Sequence, residues 1–148
     1  MAQETLIRVF ETPAGFVGIA GTDRALRRMF LPESTFERAL RLMHAAEPSA
    51  TLDETETLLP ELVTDLQRYF GGKPVRFRVK LDCDDCAPFH RDVWHACRRI
   101  PFGKTASYGE LARAVGKPAA ARAVGMAMGR NRCPIVIPCH RVLRSDGS

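Results

Sequence analysis

A cysteine held between a proline and a histidine, in the run Pro138-Cys139-His140-Arg141, is the arrangement in this chain best suited to nucleophilic chemistry. A free thiol ionises near about pH 8.5 and is only a few per cent thiolate at neutral pH. A nucleophilic cysteine therefore needs a base, a nearby positive charge or a helix N-terminus. His140 and Arg141 are candidates for the first two. Ile135, Val136 and Ile137 predict a short buried strand or extended segment, and Pro138 fixes its own φ while biasing Ile137 away from helix. Cys139 is thereby expected at a stiff boundary. Neighbouring side chains on a strand point to opposite faces, so His140 can act through a water or a third group instead of directly. The alternative reading of an isolated cysteine is a buried structural thiol that behaves as a small hydrophobe.

The charge of the chain frames that site. The net +5 conceals an asymmetry: residues 1–86 carry 11 Lys/Arg against 14 Asp/Glu, whereas residues 87–148 carry 11 against 3, a balance of −3 against +8. The half that holds Cys139 should concentrate a polyanion such as nucleic acid around itself, an attraction that weakens with salt. A solvated basic surface without a partner is the alternative. No apolar run approaches the roughly 20 residues of a membrane span, and Met1-Ala2-Gln3-Glu4 lacks a basic region followed by an apolar one. An intracellular protein is expected, cytoplasmic or, in a eukaryote, nuclear. Five cysteines without disulfide-framework spacing fit a reducing compartment.

The elements that must position the site fall into two domains, residues 1–86 and 87–148. In the first, Thr5–Phe10, Gly15–Ala20 and Ala25–Leu31 predict three short strands joined by turn sequences short enough to favour antiparallel neighbours. Ser34-Thr35-Phe36-Glu37 has the form of a capping box, followed by a helix carrying Phe36, Ala39, Leu40 and Met43 on one face. Residues 47–55 read as a polar loop. A second helix turns Leu59, Leu62, Val63, Leu66, Tyr69 and Phe70 largely inward and stops at Gly71-Gly72. Val75, Phe77, Val79 and Leu81 alternate with Arg76, Arg78 and Lys80, the period of a half-buried strand. No catalytic cluster falls in this half, which reads as an α/β scaffold.

Leu81–Cys86 is the expected linker. Its Cys83-x2-Cys86, followed by His90 and His95, resembles the ligand spacing of a small zinc site. A helix from near Pro88 carries Phe89, Val93, Ala96 and Cys97 on one side and leaves both histidines off that face, so acidic loop cysteines with incidental histidines are preferred and no metal is assigned. Past Pro101, Tyr108, Leu111, Ala112 and Val115 mark one stripe of a short helix that Gly116 stops. Lys117-Pro118 opens the next helix after a three-residue turn. That helix, residues 119–128, is poor in bulk, and Arg122 projects from its small residues as a single charged probe. Small residues let a helix press closely on a surface, and in a helix-turn-helix the second helix enters a DNA groove. Close packing in an alanine-rich core is the alternative.

Together Tyr108, the segment Ala120-Ala121-Arg122-Ala123-Val124-Gly125, Asn131 and Ile137-Pro138-Cys139-His140-Arg141-Val142 resemble, in order and spacing, the O6-alkylguanine-DNA alkyltransferases, the methylated-DNA–protein-cysteine methyltransferases of direct repair. Phe89, Val93, Trp94, Ile100 and Pro101 are similar to the helix leading into the same domain. The resemblance implies an N-terminal ribonuclease-H-like α/β (α+β) scaffold and a mainly helical C-terminal domain with a helix-turn-helix. It implies double-stranded DNA carrying O6-alkylguanine as partner, a monomer, and no cofactor. By this resemblance Arg122 fills the stack vacated by a flipped base, Cys139 takes the alkyl group once, Tyr108 donates toward the departing guanine, Asn131 braces the turn beside the nucleophile, and His140 relays a proton from Cys139 through a water. Ala120, Ala121, Ala123 and Gly125 belong to the DNA-reading surface.

In that family a glutamate from a later helix orients the histidine, after a glycine- and tyrosine-containing loop that closes over the base. The sequence stops at Arg144-Ser145-Asp146-Gly147-Ser148, before either, so a protein ending there is expected to transfer more slowly and hold the extruded base less firmly. Two other classes fit fewer residues: a non-catalytic binder of alkyl lesions, against which Cys139 argues, and a cysteine hydrolase, for which adjacent Cys and His and the lack of an oxyanion hole are poor signs. Cys97 and Cys133 read as packing thiols, Met126 and Met128 as core. Lys104, Arg130, Arg132 and Arg144 are candidate phosphate partners, and His44 is helix surface.

Overall fold

The computed structural model of the chain describes residues 4–143. It forms two compact units, Met1–Asp82 and Cys83–Ser148. The expected boundary lay after Cys86; residues 83–86 instead join the second unit, through the Asp85–Arg132 ion pair at 3.1 Å.

In the first unit, β1 (Leu6–Thr12), β2 (Gly15–Gly21) and β3 (Leu26–Met29) form an antiparallel meander, and β4 (Thr51–Leu52) adds to β1 in parallel, giving the order β3-β2-β1-β4. The β1–β2 hairpin depends on Gly15, whose φ of +131° is outside the ordinary range of L side chains and whose Cβ would stand 2.6 Å from the Glu33 carbonyl oxygen. Ile7, Val9 and Ala20 on one face bury against Ala39 and Met43 of α1 (Phe36–Ala46). Each large side chain so buried contributes about 1.5–3 kcal/mol. Phe10, Val17 and Ile19 on the opposite face are also buried, and α2 (Pro60–Phe70) packs against β1 with Leu62, Val63 and Leu66 inward.

Three details differ from expectation. The helix cap is Thr35 and not Ser34: Glu33 is still bridged to Phe16 in extended form, and the Thr35 hydroxyl accepts from Arg38 N at 3.1 Å. The polar stretch 47–55 is built and not loose, holding β4 and two buried carboxylates. Burial opposes the charge on Glu47, yet Arg27 and Arg28 donate to it and hold its carboxyl below the usual value. The alternating residues 75–81 do half-bury Val75, Phe77 and Val79, but the chain meets the sheet only at Leu81, opposite Leu26, so no strand ladder forms.

Asp53 makes a testable case. Burial likewise opposes its charge, but it accepts from the Thr55 hydroxyl at 2.6 Å and from the backbone N–H of Leu58, Thr57 and Thr55 at 2.8, 2.9 and 3.2 Å, and its pKa is lowered. The stability it contributes is present above the ordinary carboxylate value and lost as pH falls through the lower folded value. Asp53→Ala is expected to cost about 2–4 kcal/mol at neutral pH. In urea titrations at pH 7 and pH 3, the difference from the parent chain should shrink on acidification; a difference that is constant or growing contradicts this.

The second unit carries α3 (Pro88–Arg98), β5 (Ala106–Ser107), α4 (Tyr108–Ala114), α5 (Ala121–Gly129), a 3-10 turn (Cys139–Arg141) and β6 (Val142–Leu143), with β5 and β6 in parallel. Ser107 and Glu110 cap α4 reciprocally. Gly116, at φ +78°, ends it with its N–H on Arg113 and that of Lys117 on Ala112. Pro118 does not open the next helix. It occupies the second position of a separate turn closed by Ala120 N–H on the Lys117 carbonyl, so α5 begins at Ala121 and Ala120 is its cap. Among the described residues no helix is long and apolar enough to cross a membrane.

Candidate active site and DNA-reading surface

The segment leading to Cys139 is not the strand that its apolar run predicts. Pro134 and Ile137 close a bridge, Ile137 N–H bonds the Cys133 carbonyl at 2.8 Å, and Ile135 turns the chain at φ +77°. That conformation is unfavourable for a β-branched residue and survives only where its surroundings impose it. Asn131 does so: its Nδ2 donates to the Ile137 carbonyl at 2.9 Å and its Oδ1 accepts from Cys133 N–H at 2.8 Å. Pro138, at φ −80° and ψ 67°, then makes an inverse γ-turn in which Cys139 N–H also donates to the Ile137 carbonyl, at 2.8 Å. One carbonyl thus receives both the brace and the nucleophile's own amide.

Cys139 begins the 3-10 turn and is half-exposed, while Cys97 and Cys133 are buried. Burial first, and the neighbouring Cys139 second, push the Cys97 thiol up to about 12 against the pull of Arg141. Cys97 is a thiol at neutral pH. His140 is exposed, and among the described residues no hydrogen bond joins it to Cys139. Partial desolvation and, after it, the Arg141 charge lower the His140 pKa from 6.5. Its neutral ring is thus favoured by the fold: the stability it contributes is complete above 6.5 and declines as pH falls from there toward the folded value. An NMR titration of the His140 ring should give a midpoint below 6.5, and one at or above 6.5 contradicts this assignment.

Arg141, expected as a charge for the thiol, is engaged elsewhere. Its Nη1 donates to the Ile100 carbonyl at 2.7 Å and its guanidinium lies 5.6 Å from the Phe102 ring centre, tying the 3-10 turn to the end of α3. Contacts this distant in sequence leave no periodic trace. Trp94 of α3 is a second residue the pattern underused. Buried, it donates Nε1–H to the Ala127 carbonyl at 2.9 Å and so fixes α5.

On α5, Val124, Ala127 and Met128 face inward, whereas Arg122, Ala123 and Met126 are exposed. Met126 was expected in the core; at 57% exposure it belongs to the outer face. Ala120, Ala121 and Gly125 are half-buried. A Cβ on Gly125 would lie 3.6 Å from the Tyr108 ring, so α4 delivers Tyr108 directly against α5. Lys104 and Arg130 are exposed, but Arg132 is held by Asp85 through two hydrogen bonds of 3.1 and 3.2 Å and is not a free phosphate partner. Arg144 lies outside the described residues. No group of three His, Cys, Asp or Glu side chains suited to a metal occurs among the described residues.

Two family models match the chain: the ribonuclease-like domain of 6-O-methylguanine DNA methyltransferase over residues 6–83, and its DNA-binding domain over residues 88–148. A methylated-DNA–protein-cysteine methyltransferase of Mycolicibacterium paratuberculosis is 38% identical over 141 residues, covering 95% of this chain and 79% of that protein. The constitutive methylated-DNA–protein-cysteine methyltransferase of Bacillus subtilis is 38% identical over 93% of this chain and 80% of its own length. The crystal structure of Mycobacterium tuberculosis OGT in complex with DNA superposes with a TM-score of 0.78 at 35% identity, covering 97% of this chain and 81% of that one.

Proposed function

The chain belongs to the 6-O-methylguanine DNA methyltransferase family, and from that premise we propose that Cys139 is the thiol that accepts the alkyl group of O6-alkylguanine, once per molecule. Its activity is direct-reversal repair and its partner is DNA. The observation that carries the assignment is the position of Cys139: half-exposed, at the head of a turn whose Ile137 carbonyl is gripped by Asn131 and by the cysteine's own N–H.

A base inside a duplex is out of reach of such a thiol, so the damaged nucleotide must be flipped out, at a cost of a few kcal/mol. Arg122, exposed among small residues on α5, enters the vacated stack, and Ala120, Ala121, Ala123 and Gly125 allow the backbone to approach. The Cys139 thiolate forms a sulfur–carbon bond to the alkyl group as the carbon–O6 bond breaks, and the electron pair passes to the guanine ring. The Tyr108 hydroxyl donates toward that ring and stabilises the charge that develops there. Neutral His140 takes the thiol proton through a water. The thioether has no onward leaving group, so the protein is consumed. One thiol on one chain suffices, and the protein acts as a monomer in the compartment that holds DNA, the cytoplasm or a nucleus.

Arg122→Ala tests the flipping step. Transfer from methylated duplex is expected to slow about 10- to 100-fold, the equivalent of losing part of the unstacking energy. Transfer from a single-stranded oligonucleotide, where little flipping is needed, should change less than about threefold. Equal losses on both substrates would remove Arg122 from the extrusion step.

A further inference from the structure

The Cys83-x2-Cys86 motif takes no part in the reaction above. Asp84 and Asp85 are the central residues of a β-turn closed by Cys86 N–H on the Cys83 carbonyl at 3.1 Å. Arg132 pins that turn from outside by its two hydrogen bonds to Asp85. The ends of a β-turn lie within about 7 Å at Cα, and a disulfide spans about 4.4–6.8 Å. Neither cysteine is in a disulfide; Cys83 is buried and Cys86 half-buried. Burial is the main reason the Cys86 thiol sits above its ordinary value; the Arg132 charge opposes this, while the Asp85 carboxylate, which accepts from Cys86 Sγ at 3.8 Å, and the nearby Cys83 add to it. The two cysteines therefore stand at the two ends of a turn that is already closed.

From this geometry we propose that Cys83 and Cys86 form a redox-active dithiol, converted by low-molecular-weight disulfides into an intramolecular disulfide separate from the alkyl-accepting cysteine. Cys86, the more accessible sulfur, attacks one sulfur of oxidised glutathione through its small thiolate fraction, which grows as pH rises, and releases one glutathione thiolate, leaving a mixed disulfide on Cys86. Cys83 then attacks the Cys86 sulfur and expels the second glutathione. Two electrons pass from the protein sulfurs to the glutathione disulfide, and the two thiol protons end on the two glutathione molecules. Because the turn is held closed in the reduced protein, ring closure requires little further ordering, and the mixed disulfide is short-lived. Dithiothreitol reverses the exchange.

The test is intact-protein mass spectrometry with peptide mapping after incubating the full chain with oxidised glutathione. The expected product has lost the mass of two hydrogens, carries its cross-link within the peptide that holds Cys83 and Cys86, and returns to the dithiol with dithiothreitol. In Cys83→Ser the same treatment should stop at one glutathione on Cys86. Alkyl acceptance by Cys139 should persist in the oxidised protein, which separates this proposal from the repair reading. The proposal is overturned if both thiols stay open to alkylating reagent, if wild-type protein accumulates the glutathione adduct, or if a cross-link joins Cys97, Cys133 or Cys139. Thiols that react only after a chelator is added would indicate a bound metal and overturn it equally.

Discussion

Replacement of Cys139 by serine is expected to abolish alkyl acceptance while DNA affinity stays within about twofold, because a hydroxyl is a weak nucleophile unless a strong base activates it. His140 is exposed and makes no direct hydrogen bond with residue 139 among the described residues, and a base that acts only through a water is too weak to ionise a serine hydroxyl as it can a thiol. Cys97 and Cys133 cannot substitute either. Both are buried, and Cys97 keeps its proton at neutral pH. The measurements are radiolabel transfer from O6-methylguanine duplex and an electrophoretic binding titration on one preparation. Residual transfer in the serine variant would mean that another thiol is the acceptor.

Asn131→Ala is expected to have the next largest effect. It removes the donor to the Ile137 carbonyl and the acceptor of Cys133 N–H, leaving that buried amide without its partner. A cost of about 2–3 kcal/mol is expected, from one lost hydrogen bond and one unsatisfied buried group. The kinetic loss should exceed the stability loss. Ile135 is held at φ +77° by this network, and once the network is cut the turn can relax and carry Cys139 with it. A displacement of about 1 Å in a reacting group can cost about 10²-fold in rate. Asn131→Asp keeps the acceptor for Cys133 but not the donor to Ile137, so it should recover most of the stability and only part of the rate. Thermal unfolding with single-turnover kinetics separates the two effects; a normal transfer rate in Asn131→Ala would show that the brace does not position the thiol.

The parts legible in the sequence were those written in short-range pattern. Alternation and turn residues marked β1 to β3, and the period of Ala39 and Met43 marked the buried face of α1. The α/β scaffold and the helices of the second unit follow from such signals, and the family models match residues 6–83 and 88–148. Where competing local rules met, the pattern misled. Pro118 is acceptable in the first turn of a helix and equally so in a β-turn, and the Lys117–Ala120 hydrogen bond decides for the turn. Ile135 has strong strand preference, yet the two hydrogen bonds of Asn131 override it. The residues around the site were legible as types and not as contacts. Nothing in their spacing says that Arg141 reaches Ile100, or that Asp85 takes Arg132 out of the pool of free cations.

The central claim is that one half-exposed sulfur, held by the Ile137 carbonyl network, takes the lesion's alkyl group and keeps it. It is tested most directly by intact-protein mass spectrometry with an excess of O6-methylguanine duplex, followed by peptide mapping. A single methyl per chain is expected, located on Cys139, with no further gain however long the incubation. An unmodified Cys139 in folded, DNA-bound protein, or a methyl on any other residue, would contradict it.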